Sequence, residues 1–191
     1  MSRRPVLIPA ATAPVLLLLY GILRLVDGLD GDRGPGLAWN LGHTFFLAAF
    51  VLFGVLIVGL RRLVREAAGS RIVADPATAA GLIGVAGFLW VILCDLFERL
   101  EDAAPLPDPL YAAGPLLFQL GLLTLMVQLT AARPRLLPAW SPVLVFLGFL
   151  LIAVNLDLLP LGAVFIAGGL FPLVPRPALL PDRTGRTGAS G

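Results

Sequence analysis

Six apolar stretches, near residues 6–26, 37–60, 77–97, 110–131, 141–157 and 160–174, are separated by segments that carry nearly all of the charge. About 20 apolar residues is the length an α-helix needs to cross a bilayer. This pattern fixes the class before any motif is considered: an all-α, polytopic membrane helical bundle of about six transmembrane helices. Only 14% of the residues are charged and the mean hydropathy is +0.93, whereas soluble domains run near 25% charged. Six spans use roughly 120 residues, too many to leave room for a soluble catalytic domain. Residues 1–174 are therefore expected to form a single transmembrane domain, with any chemistry inside the bilayer or at its edge.

The first four stretches are long enough to span outright. The last two lie close together across Asn155-Leu156-Asp157-Leu158-Leu159-Pro160, and 160–174 is short enough to be half-inserted. Five spans plus a re-entrant piece is the alternative count. Met1-Ser2-Arg3-Arg4 followed by apolar residues to Val26 has the basic front of an export signal, but the run is longer than a typical signal core and no small-x-small site follows it before Asp27. An uncleaved first span is expected.

Charge along the chain predicts orientation. Segments 1–5, 61–75, 132–141 and 175–191 hold eleven Arg against Glu66, Asp75 and Asp182, a balance of +8. The opposite ends and loops hold Arg24, Arg33 and Arg99 against nine acidic residues, a balance of −6. Because Arg near span ends is retained on the cytoplasmic side, both termini and the Arg-rich loops are expected in the cytoplasm of a bacterial inner (plasma) membrane protein, with the acidic loops outside. Residues 175–191, rich in Pro, Gly, Arg and Thr, are expected to be a disordered cytoplasmic tail.

Several chemistries are excluded by what the chain lacks. All 14 basic residues are Arg, so Schiff-base and P-loop lysine chemistry have no nucleophile or phosphate ligand. A single histidine, His43, precludes an HExxH zinc site and bis-histidine haem ligation within one chain. Cys94, alone inside an apolar stretch, reads as a small buried hydrophobe. None of the four serines lies deep in a span, and no nucleophile-elbow or dinucleotide-binding pattern is present. Basic and aromatic residues do not interleave as nucleic-acid binding requires. The Asp27–Asp32 loop lacks the spaced ligands and closing Glu of a calcium loop. No metal or cofactor is expected.

What remains is the set of polar groups inside the spans, each of which needs a partner, a cavity or an interfacial position. At about 1.5 Å per residue, Arg24 and Asp157 fall at the acidic interface, Asn40 and Asp95 just below it, and His43 and Gln119 deeper. Asn40 and His43 share a helix face, as do Asp95 and Glu98. Asp95 lies in helical phase with Gly84 and His43 with Gly54, and glycine on a membrane helix marks close helix contact. Both ionisable groups should therefore point inward and meet. The expected site is an outward-facing polar pocket of His43, Asp95, Glu98 and Gln119, with Asn40, Arg24, Asn155 and Asp157 around its mouth. The competing structural account makes Asp95 and Glu98 the start of an acidic cap and gives His43 a backbone carbonyl or Gln119 as partner.

Three functions fit these residues. The first is small-molecule or proton binding of the transport type. The second is a membrane-embedded enzyme on a lipid or isoprenoid-like substrate, with Asp95 or Glu98 as acid and His43 as a further catalytic candidate; it predicts an apolar cavity continuous with the lipid and a carboxyl at its end. The third is an accessory subunit awaiting a partner membrane protein. Besides the lipid bilayer, the partners these imply are a small molecule or lipid ligand, a second copy of the chain, or another membrane subunit. A separation of His43 and Asp95 beyond about 8 Å would rule out a shared hydrogen-bonded site.

Smaller signals concern packing. Gly81, Gly84 and Gly87 should let another helix approach, within the chain rather than across a dimer. Pro9, Pro14 and Pro115 should bend their helices. Gly42, Phe46 and Arg61 match Gly114, Phe118 and Arg133 at an offset of 72, too few coincidences to establish a repeat in so apolar a chain.

Overall fold

The computed structural model describes residues 4–29, 31, 33–67 and 70–174, and among these the chain is helical with no strand. The helices are α1 (Arg4–Asp27), α2 (Leu37–Glu66), α3 (Arg71–Leu96), α4 (Glu98–Ala103), α5 (Asp108–Ala131), α6 (Trp140–Val154) and α7 (Leu159–Leu170). Short 3-10 turns at Leu156–Leu158 and Phe171–Leu173 flank α7. Five segments are long and apolar enough to cross a membrane, and α6 is shorter. Exposed Ile8, Val15, Ile83, Leu120, Val127 and Val143 give the outside an apolar surface, which suits lipid rather than water as the surrounding solvent. The chain is an integral membrane protein built as a helical bundle. The 175–191 tail, and Asp30 and Asp32 of the acidic loop, lie outside the described residues.

The helix ends differ from hydropathy in three places, each with a local cause. Hydropathy stops at residue 60, but α2 continues to Glu66 and α3 starts at Arg71. Arg and Glu are good helix formers, and Arg61 Nε donates to Asp75 Oδ1 at 2.8 Å, tying the two polar ends together. The acidic segment after α3 forms the short helix α4. Finally, the short member of the bundle is α6, with 15 residues, while α7 and its flanking turns make an 18-residue segment. Asn155 sets this break: its backbone is extended and its Oδ1 accepts from the Asp157 N–H at 2.8 Å, capping the next turn as Asn commonly does. Pro160 sits in the first turn of α7, where no N–H is needed.

The six apolar helices close into a ring, α1–α2–α3–α5–α6–α7 and back to α1, and the α5–α6 contact is the smallest in it. Glycine sets the tightest seams. A Cβ at Gly84 of α3 would stand 2.3 Å from the Phe118 backbone nitrogen, and one at Gly121 of α5 would stand 2.4 Å from the Ala77 carbonyl oxygen. Gly81, Gly84 and Gly87 thus serve contact with α5 inside the chain, as expected for small residues between membrane helices. Gly148 and Gly162 play the same part between α6 and α7.

The interior has two halves. Toward the Arg-rich end, Leu56, Ile57, Leu60 and Leu63 of α2 meet Leu122, Leu125, Met126 and Leu129 of α5 in a fully buried core. At mid-height an aromatic cluster takes over: the rings of Phe50 and Phe88 lie 4.0 Å apart, Phe50 and Phe118 5.3 Å, and Phe118 and Phe149 5.2 Å. Above that cluster, toward the acidic end, packing opens into cavities.

Candidate functional site

His43 is carried by α2 one turn after Trp39. It is 2% exposed and lines a cavity that also reaches Arg24 and Asp95 near the acidic end. The Nδ1 atom lies 2.9 Å from the Trp39 carbonyl oxygen. A carbonyl can only accept, so Nδ1 carries the proton and donates. That commitment turns Nε2 toward α3, where Asp95 Oδ2 lies 3.5 Å away. A neutral imidazole of this tautomer and an ionised carboxylate would present lone pairs to each other; one proton held between them, or a donor seated against both, resolves the conflict.

The surroundings hold this arrangement in place. Asp95 is the penultimate residue of α3, where helix carbonyls lack intrahelical partners, and the Trp39 indole donates to its carbonyl oxygen at 3.1 Å. The Trp39 ring also stacks at a tilt on His43, centroids 4.1 Å apart, while Tyr20 of α1 meets the imidazole edge-on at 5.2 Å. Four residues after Tyr20, Arg24 lines the same cavity. Its Nε is 3.9 Å from Asp157 Oδ1, and Arg33 Nη2 donates to that same oxygen at 2.9 Å.

Together these residues head a cavity of about 340 Å³ whose deeper walls are Phe46, Phe50, Phe88, Phe149 and Ile152. Ligand pockets begin near 300 Å³. On the far side of Phe88 and Phe149, a second cavity of about 600 Å³ lies between α5 and α6. The two share Phe88, Phe149, Ile152 and Leu156 as walls. Chemically, the assembly places an imidazole, a carboxyl group and a guanidinium at one end of an aromatic chamber.

The expected residues distribute unevenly. His43, Asp95 and Arg24 meet around one cavity, with Asp157 beside Arg24. Asn40 is exposed and joins Asp95 only in a shallow depression beside Phe97 and Arg99. Asn155 caps the 3-10 turn and so holds Asp157 in place. Gln119 faces the α5–α6 cavity rather than His43. The Glu98 side chain lies outside the described residues, and among the described residues no group of three His, Cys, Asp or Glu converges on a common centre.

Sequence reasoning missed the aromatic frame. Trp39, Phe46 and Phe50 stand four residues before and three and seven after His43, a helical stripe that was available to find them. Arg33, across the loop from Asp157, gave no such signal. No family model, curated protein or solved structure matches the chain, so the site's own geometry carries the functional interpretation.

Proposed function

We propose that the bundle binds a small amphiphilic molecule at its acidic end, with a hydroxyl-bearing head against His43 and Asp95 and an apolar body against the aromatic wall. The observation that carries this reading is the buried imidazole whose Nδ1–H is given to Trp39 and whose Nε2 faces Asp95 Oδ2 at 3.5 Å at the head of an apolar cavity. A hydroxyl both donates and accepts. Seated against a pair that holds one proton, it accepts from one partner and donates to the other. The polar cluster is thus a small-molecule and proton-binding site of the transport type. The densely packed core toward the Arg-rich end supports binding from one leaflet over an open pore, since passage would require that half to part.

The charge asymmetry supports the rest of the assignment: Arg-rich loops in the cytoplasm of a bacterial inner membrane, and the site in the outer leaflet. A second reading, acid-assisted chemistry on a lipid, gains support from one observation: a carboxyl at the end of an apolar cavity that adjoins a second cavity at the ring's smallest helix contact.

Native mass spectrometry of the protein released from nanodiscs tests both. The expected result is a retained small molecule whose occupancy falls at least tenfold in Asp95→Asn while the variant keeps its helical content. Its recovery unchanged supports binding; its conversion supports catalysis. An empty protein that brings down another membrane subunit would refute both in favour of an accessory role.

A further inference from the structure

We infer that Asp95 carries protons between an exposed depression at the acidic end and the buried imidazole of His43, so that the pair takes up and releases its proton on that side of the membrane. The inference rests on the proposed proton binding by His43 and Asp95, and adds the route by which the proton arrives and the side it comes from.

Asp95 is where two spaces of different character meet. It lines a depression of about 350 Å³ together with Pro35, Asn40, Phe97 and Arg99, all of them exposed. It also lines the aromatic cavity that holds His43, and it is the residue common to the two linings. Burial differs in the same sense: the Asp95 side chain is 38% exposed and that of His43 3%. A proton bound for the imidazole thus finds, at the surface, a carboxyl whose Oδ2 already faces Nε2 at 3.5 Å.

Among the described residues around the imidazole, no other group can serve. Nδ1 is committed to the Trp39 carbonyl, and the Trp39 and Tyr20 rings lie against the imidazole. From α1, Arg24 lines the cavity, but a guanidinium does not deprotonate in proteins. The same holds for Arg99 of α4 in the depression. Asp157 lies beside Arg24 and Arg33, and Tyr20 is buried, with a phenol that keeps its proton at neutral pH. From the Arg-rich end, the way to His43 is filled by fully buried Leu56, Ile57, Leu60, Leu122 and Leu125, none of which can pass a proton.

The transfer needs no further reactant. A hydronium ion in the depression gives its proton to a carboxylate oxygen of Asp95 and leaves as water. A half-turn about χ2, a soft two-fold torsion in Asp, presents the O–H to Nε2. The proton passes to the Nε2 lone pair, leaving a carboxylate beside an imidazolium whose Nδ1–H is still donated to Trp39. The Trp39 indole, bonded to the Asp95 carbonyl at 3.1 Å, holds the backbone in place while the carboxyl turns. Release is the same sequence reversed, and no electrons change hands.

The chain holds one histidine, so isotope labelling of histidine gives the ring signals of His43 alone. In nanodiscs, nuclear magnetic resonance reads its tautomer and charge from the signal positions, and relaxation dispersion reads proton exchange on the μs–ms scale. The wild-type ring should titrate. Exchange, compared at each protein's own midpoint, should slow at least tenfold in Asp95→Asn, whose amide takes up no proton. Asn40→Trp sets an indole over the depression from an exposed position without touching the pair; it should slow exchange severalfold while tautomer and midpoint stay as in the wild type.

Exchange in Asp95→Asn or in Asn40→Trp as fast as in the wild type overturns the relay and leaves binding at the pair standing. If Asp95→Asn keeps His43 uncharged throughout, Asn40→Trp alone decides. A wild-type ring of one unchanging charge from about pH 4 to about pH 9, well to either side of an ordinary imidazole, also overturns the relay. Ring signals identical in wild type and Asp95→Asn at every pH would mean that the two groups share no proton, and the proposed function falls with this inference.

Discussion

Gly84→Ala adds one methyl group where α3 and α5 touch. The new Cβ would stand 2.3 Å from the Phe118 nitrogen, 2.6 Å from the Gly114 carbonyl oxygen and 2.6 Å from the Phe118 Cα. All three are backbone atoms of another helix, so no side chain can swing aside. Ordinary contact begins near ~3.5 Å, which means that α5 must retreat by about 1 Å or its backbone must bend. Overpacking of this kind costs about 1–3 kcal/mol. At roughly 2–4 °C per kcal/mol for a chain of this size, the melting temperature in detergent should fall by about 2–12 °C. Gly168→Ala is the control: the nearest atom to its added Cβ is Leu144 Cδ1 at 3.6 Å, and alanine gains up to ~1 kcal/mol of helix propensity over glycine. Circular dichroism melts of both variants, in one detergent and at one protein concentration, read the difference. Because the displaced backbone is that of Phe118, whose ring lies 5.7 Å from Phe88, the substitution should also disturb the wall between the two cavities. A Gly84→Ala protein that melts at or above the wild-type temperature, with Gly168→Ala no more stable, would refute the glycine-gated seam.

Two further outcomes follow from other contacts. Ser141 is fully buried and its hydroxyl donates to the Gly169 carbonyl across the α6–α7 seam; Ser141→Ala should cost about 1 kcal/mol, the scale of interhelical hydrogen bonds in membranes, read from the same melts. In a Cys94→Ala background, a cysteine at Pro105 should react with a membrane-impermeant maleimide on intact cells while one at Ser70 reacts only after permeabilisation; the reverse pattern would invert the proposed orientation.

Hydropathy found the apolar body of every long helix because lipid imposes one rule on all of them. It was blind to what happens at their ends. The six residues that carry α2 past residue 60 and the six that precede residue 77 in α3 are polar turns held by helix propensity and by the Arg61–Asp75 pair, and neither cause registers as hydrophobicity. Within the site, helical phase turned His43 and Asp95 inward, but only Gly54 of α2 faces α3, against Val85, whereas Gly84 meets α5, so the meeting of the pair is set by the α2–α3 packing and not by both glycines. Phase alone was not enough for Gln119. The phase of a residue on its own helix does not say which neighbour that face meets, and Phe88 with Phe149 stands between Gln119 and the imidazole. The Trp39 carbonyl, which decides the histidine tautomer, is legible only as a position four residues away until the backbone is in hand.

The shortness of α6 has a consequence for the lipid around it. Fifteen residues make a helix of about 22 Å at 1.5 Å per residue, whereas the hydrocarbon of a typical bilayer is about 30 Å thick. A span too short for its membrane draws the lipid down to meet it. If α6 crosses the bilayer on its own length, thinning of the lipid to match it would fall along the flank where the α5–α6 cavity lies and would bring head groups there closer to mid-plane. Under the proposed function, a molecule leaving the leaflet at that flank would descend less far to reach Asp95. A short span would in this way let the protein shape its solvent as well as its own interior.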